Sequence, residues 1–200
     1  MNRNYFKFHF KIIILTFLFL NPNLSEGQDQ KIPIGQIRTP LGDIFISLDE
    51  RTPNHKVSFI ELAQAGYWDS LTFNRVIPNF VAQGGCPDTE EGFKDPEYLL
   101  APEFHPDLTH IYGAVGAGRD GNAEKLSARC QFYIVQNPES LHRLDGDYTV
   151  FGHVVKGMEV IEQIVKVKRD EKDEPLEPVT LRIEILYLTQ DEYSTLIKKQ

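Results

Sequence analysis

Five apolar residues in strict alternation, Val179, Leu181, Ile183, Ile185 and Tyr187, most constrain what this chain can fold into. Successive side chains of a strand point to opposite faces, so this period of two predicts a half-buried strand over Val179 to Leu188. The other end of the folded region is β-like too. Ile34 to Arg38 reads as a strand, Thr39-Pro40-Leu41-Gly42 as a turn, and Asp43 to Leu48 as the return strand of a hairpin. Strands at both ends favour a closed antiparallel barrel, because closure removes exposed sheet edges.

The intervening segments fit that plan. Thr52-Pro53 opens a helix with a capping hydroxyl and a first-turn proline, and Gly66 stops it. Strands are expected from Leu71 to Gln83, over Gln131 to Val135 and over Tyr148 to Val155. Met158, Val160, Ile161 and Ile164 stand at helical spacing and give a second helix. Residues 86–110 form a long, polar, proline-containing connection, Lys166 to Glu177 a solvated charged loop, and residues 191–200 a fraying tail. The expected fold is mainly β, a closed antiparallel barrel whose open ends are plugged by two α-helices.

Residues 1–27 read as a secretory signal peptide preceding a domain over residues 28–190. Arg3, Lys7 and Lys11 make a basic start, Ile12 to Leu20 is almost purely apolar, and Ser25 and Gly27 supply the small residues of a cleavage site. The apolar run is shorter than the roughly 20 residues a membrane-crossing helix needs. An uncleaved anchor is the competing reading. Cleavage would place the protein in the periplasm or outside the cell, with no membrane attachment. In such a compartment Cys86 and Cys130 could form one disulfide; two partly buried free thiols are the alternative. The formal net charge of −8 argues against nucleic-acid binding.

The most informative stretch runs from Phe73 to Gly85. It sets Arg75, Phe80 and Gln83 on a strand-like apolar background that ends in Gly84-Gly85. A cation, an aromatic and an amide without a nucleophile suit chemistry that breaks no covalent bond. His55, His105, His110, His142 and His153 lack ligand spacing, so no metal is expected, and nothing calls for another cofactor.

Leu71 to Phe80 with Gln83-Gly84-Gly85 resembles the signature of the cyclophilins, which are peptidyl-prolyl cis-trans isomerases. A second block agrees: Gln131-Phe132-Tyr133-Ile134, Leu144-Asp145-Gly146, Thr149-Val150-Phe151-Gly152 and Val154 to Met158. Order and spacing resemble the family from about Ile34 to Leu188. The resemblance implies an eight-stranded antiparallel barrel capped by helices, acting as a monomer on proline-containing segments of folding proteins. It implies that Arg75 and Gln83 are catalytic. Substrate-binding positions would be Phe80, Val81, Gly118, Arg119, Gln131, Tyr133, Leu144 and Tyr148.

Several positions depart from the family pattern. Tyr133 stands for a phenylalanine, Val81 for a methionine, Tyr148 for a histidine and Gly118-Arg119 for Ala-Asn. Arg143 stands for the tryptophan of drug-sensitive members, which implies weak cyclosporin sensitivity. Asp88 to Glu103, rich in acids, replaces a glycine-rich loop. These departures leave open a second function, a module that holds proline segments as a chaperone with little or no turnover.

Overall fold

The computed structural model describes residues 31–86 and 98–198. The expected signal peptide and most of the acidic stretch beginning at Asp88 lie outside the described residues.

Ten strands and three α-helices follow one another in the described chain. The strands are β1 (Ile32–Thr39), β2 (Gly42–Leu48), β3 (Thr72–Ile77), β4 (Val81–Gly85), β5 (Leu99–Leu100), β6 (Ala114–Ala117), β7 (Ser127–Ala128), β8 (Gln131–Val135), β9 (Val150–Lys156) and β10 (Arg182–Leu188). The helices are α1 (Pro53–Gln64), α2 (Met158–Ile164) and α3 (Gln190–Lys198). Eight strands form one curled sheet in the order β10-β1-β2-β9-β6-β8-β4-β3, while β5 and β7 pair separately. Every ladder is antiparallel.

Strand number and direction agree with the expected barrel, but its closure is partial. The outer strands β10 and β3 share no ladder. Their edges meet at the bridge Thr72–Thr180, where Phe73 N donates to Val179 O at 2.9 Å and Leu181 N to Leu71 O at 2.8 Å. Pro175 and Pro178 carry no N–H, so the segment beside β3 cannot build a regular ladder. The result is a half-barrel drawn together along one irregular seam.

Two further expectations are corrected. The C-terminal residues form a third helix, α3, in place of a fraying tail. Thr189 and Glu192 make a reciprocal capping box at its start, Thr189 N donating to Glu192 Oε2 at 2.8 Å and Glu192 N to Thr189 Oγ1 at 3.3 Å. At α1 the Thr52 hydroxyl makes no cap and bonds Asp49 O instead. Glu103 takes over, its carboxylate accepting from Asn54 N and His55 N, both at 3.0 Å. An anion at a helix N-terminus satisfies orphan donors and opposes the positive end of the helix dipole.

Alternation along the strands divides the buried residues into two groups. Phe73, Phe132, Trp68, Ile44, Ile134 and their neighbours fill the space between sheet and helices. Phe59 of α1 lies 4.8 Å from Trp68 between ring centroids, so α1 closes one end through aromatic contact. The second group is built on the opposite face of β4 and β8: Val81, Tyr133 and Val135, with Phe80, Leu144 and Tyr148 packed against them. That outer group carries the site. Leu181, just before β10, and Ile183 within it are buried but Tyr187 is exposed, so the alternation outlasts the core.

Candidate active site

Strand register assembles the site. Arg75 on β3 pairs with Gln83 on β4, Gln83 with Tyr133 on β8, and Tyr133 with Gly116 on β6. Directly opposed residues share a face, so these four form one row across four strands. A register shift between Phe73 and Arg75 keeps the apolar Phe73 in the core while Arg75 faces outward. Asn79, in the left-handed region at φ 58°, turns the chain between β3 and β4 and sets Phe80 beside the row.

The row borders an open cleft of about 280 Å³. All ten residues expected to bind or act on substrate line it, and Arg143 joins them. Arg75 Nη1 donates to Gln83 Oε1 at 3.2 Å, and its guanidinium lies 5.7 Å from the centre of the Phe80 ring. Arg143 lies over the same ring at 5.1 Å, and Arg119 lies 4.5 Å from the Tyr148 ring. Phe80, Leu144 and Tyr148 are half-buried walls, while Val81 and Tyr133 are buried beneath them. A cleft with apolar walls at Phe80, Val81, Tyr133 and Leu144, edged by an arginine held by an amide, can seat a proline and place a donor beside its carbonyl.

Gln131 lines the cleft from a largely buried position. Its side chain is 3% exposed, and Nε2 donates to Cys86 O at 3.3 Å. A methyl group on Gly118 would lie 1.9 Å from Gln131 Oε1, so this placement of the amide depends on glycine at 118. Cys86 and Cys130 are joined in a disulfide, their Cα atoms 5.5 Å apart, and Cys130 immediately precedes Gln131. The bond ties the end of β4 to the start of β8 within the core.

Sequence reasoning missed a buried polar chain behind the cleft. Asp145 Oδ1 accepts from His110 N at 2.8 Å and from His110 Nδ1 at 2.7 Å. That fixes the tautomer, leaving Nε2 to accept from the Tyr133 hydroxyl at 2.7 Å. Burial lowers the pKa of His110, partly offset by Asp145, and raises that of Tyr133 well above its ordinary value. Burial also pushes the Asp145 carboxyl up, but the hydrogen bonds from His110 and His142 outweigh it and hold the group low. Tyr133 itself was the available signal, since a hydroxyl added to a buried ring demands a partner. Gly116 makes the ring fit, because a Cβ there would lie 2.2 Å from Tyr133 Cζ.

Residues 34–184 match a family model described as "Cyclophilin type peptidyl-prolyl cis-trans isomerase/CLD". The chain belongs to the cyclophilins. Among its relatives is peptidyl-prolyl cis-trans isomerase ppi1 of Schizosaccharomyces pombe, 36% identical over 151 residues that cover 73% of this chain and 94% of the yeast protein. Peptidyl-prolyl cis-trans isomerase B of Bacillus subtilis is 40% identical over 55% of this chain and 73% of its own. A crystal structure of a Cryptosporidium parvum cyclophilin superposes with a TM-score of 0.70 at 25% identity, covering 78% of this chain and 98% of the other. This cyclophilin is accordingly a peptidyl-prolyl cis-trans isomerase with the family's half-barrel.

Proposed function

We propose that this cyclophilin acts outside the cytosol, as a monomer, speeding X-Pro rotation in exported proteins, with Arg75 as the catalytic donor. The row Arg75–Gln83–Tyr133 beside Phe80 carries the reading. Export is supported by the basic and apolar pattern of residues 1–27 and by the Cys86–Cys130 bond, which suits an oxidising compartment.

The reaction meets a barrier of about 18–20 kcal/mol set by C–N double-bond character. No bond is broken, so catalysis requires only that the twisted imide be held better than either planar form. Phe80, Leu144 and the Tyr133 ring clamp the proline, and the preceding carbonyl swings. Arg75 donates to the prolyl carbonyl and presents a donor near the imide nitrogen, whose lone pair localises as conjugation is lost. Gln83 fixes the guanidinium in advance, so little reorganisation accompanies the twist. An acceleration of about 10⁵ corresponds to roughly 7 kcal/mol of preferential transition-state binding.

Two measurements test the reading. A protease-coupled assay on an Ala-Pro peptide should show turnover well above the uncatalysed rate; a rate equal to it leaves a binding module. Intact mass of the exported protein should begin at Gln28, and retention of residues 1–27 contradicts export by cleavage.

A further inference from the structure

The described chain contains eight arginines. Arg38, Arg51, Arg129, Arg169 and Arg182 each lie within 4.0 Å of a carboxylate. The other three, Arg75, Arg119 and Arg143, have no such partner among the described residues, and all three line the cleft. Arg119 donates only to carbonyl oxygens, Asp147 O at 2.8 Å and Asp120 O at 2.7 Å, which orient the guanidinium without neutralising it. Arg143 is exposed and its guanidinium lies over the Phe80 ring at 5.1 Å.

Nearby acids are engaged elsewhere. The Asp147 carboxylate takes Lys125 at 2.7 Å, Asp145 holds His110 and His142, and Asp120 Oδ1 accepts from Asn122. A protein of net charge −8 thus keeps at the mouth of its binding cleft three guanidinium groups with no carboxylate in direct contact among the described residues, Arg119 acting on the Asp147 carboxylate only at longer range. Unpaired arginines beside an apolar pocket are suited to binding carboxylate or phosphate oxygens on an incoming chain. Neighbouring Cα atoms along a peptide are about 3.8 Å apart. Arg143 lies over the Phe80 ring and Arg119 over the Tyr148 ring of the same cleft, so a side chain flanking a proline seated on Phe80 has both guanidinium groups as neighbours in the cleft.

We propose that the cleft selects proline segments carrying an anionic side chain, carboxylate or phosphate, beside the proline, with Arg143 and Arg119 as the groups that read it. The proposal rests on the cleft being the isomerase site.

The test uses the exported chain and matched peptides with Glu, Gln, Lys, Ser or phosphoserine placed before or after proline, followed by NMR exchange so that no protease intervenes. At low salt, kcat/KM for Glu should exceed that for Gln by about five- to tenfold at one of the two positions, a gap that shrinks as salt screens it. Comparing Glu with phosphoserine identifies which oxyanion is preferred. Arg143→Gln should bring the Glu:Gln ratio toward one, and Arg143→Glu should invert it in favour of Lys. Arg143 is exposed, so both variants should fold. Equal rates for Glu, phosphoserine and Gln at both positions overturn the proposal, as does a preference that survives both Arg143→Glu and Arg119→Gln. Turnover of neutral peptides keeps those outcomes separate from a failure of the isomerase reading. No turnover of any peptide overturns that reading and the proposal together.

Discussion

The Tyr133 hydroxyl donates to His110 Nε2 at 2.7 Å across the back of the cleft, and His110 is itself completely buried against Asp145. The ring that walls the proline pocket is therefore held from behind by a charge-assisted chain. Tyr133→Phe keeps the ring but leaves Nε2 without its donor. We expect a loss of about 1–3 kcal/mol in urea unfolding, with a smaller effect on kcat/KM. A variant as stable as wild type contradicts the role given to the hydroxyl.

Acid should weaken the fold through this chain and its counterpart at α1. His110 and His55 both have pKa values lowered chiefly by burial. For a histidine whose folded pKa lies below its unfolded value of about 6.5, the unfolded chain binds more protons as pH falls through the gap. Stability is then fully present above about pH 6.5 and declines from there toward the lower folded pKa. The lowered carboxyl groups of Asp145 and Glu103 extend the loss below the usual carboxylate range. The denaturant midpoint, measured from pH 8 to 4, should stay flat and then fall; a rise on acidification contradicts this account.

Glu103 caps α1 and also accepts from His55 Nδ1, at 2.6 Å. Glu103→Ala removes a carboxylate from a helix terminus and leaves a buried imidazole unpaired. A cost of about 2–3 kcal/mol in unfolding free energy is expected, checked by chemical denaturation.

The Cys86–Cys130 bond closes a loop with a sequence separation of 44. On the chain-entropy argument it contributes about 3–4 kcal/mol. Reductant, or Cys86→Ser with Cys130→Ser, should lower the urea midpoint by a corresponding amount. The effect on kcat/KM should be a decrease, because Cys130 adjoins Gln131 and Cys86 O anchors its amide. An unchanged midpoint after verified reduction contradicts the stabilising role.

How much of this was legible in the sequence depended on range. The hairpin at Thr39 to Gly42, the proline start of α1 and the signature strands are local patterns, and the motif order carried the site residues with them. The register Arg75–Gln83–Tyr133 was not legible, because a bulge between Phe73 and Arg75 breaks the simple alternation and turns Arg75 away from the core. Long-range partners were not legible. Glu103 reaches α1 from 48 residues away, and His110 meets Asp145 across 35. No local spacing announces either. The disulfide stayed open because sequence gives no distance between sulfur atoms. The incomplete seam was not legible, because strands at both ends of the chain favour a closed barrel without showing that Pro175 and Pro178 lie beside β3. The box Thr189-x-x-Glu192 was a readable helix start that the charged character of the tail obscured.

The central claim is that the Arg75 guanidinium, held by Gln83 over Phe80, stabilises the half-rotated imide. Its most direct test is kcat/KM for an Ala-Pro peptide with wild type and Arg75→Ala, each shown to be folded by circular dichroism. The account predicts a loss of about 30- to 1000-fold, equivalent to roughly 2–4 kcal/mol of transition-state binding. A folded Arg75→Ala protein that turns over the peptide as fast as wild type would contradict it.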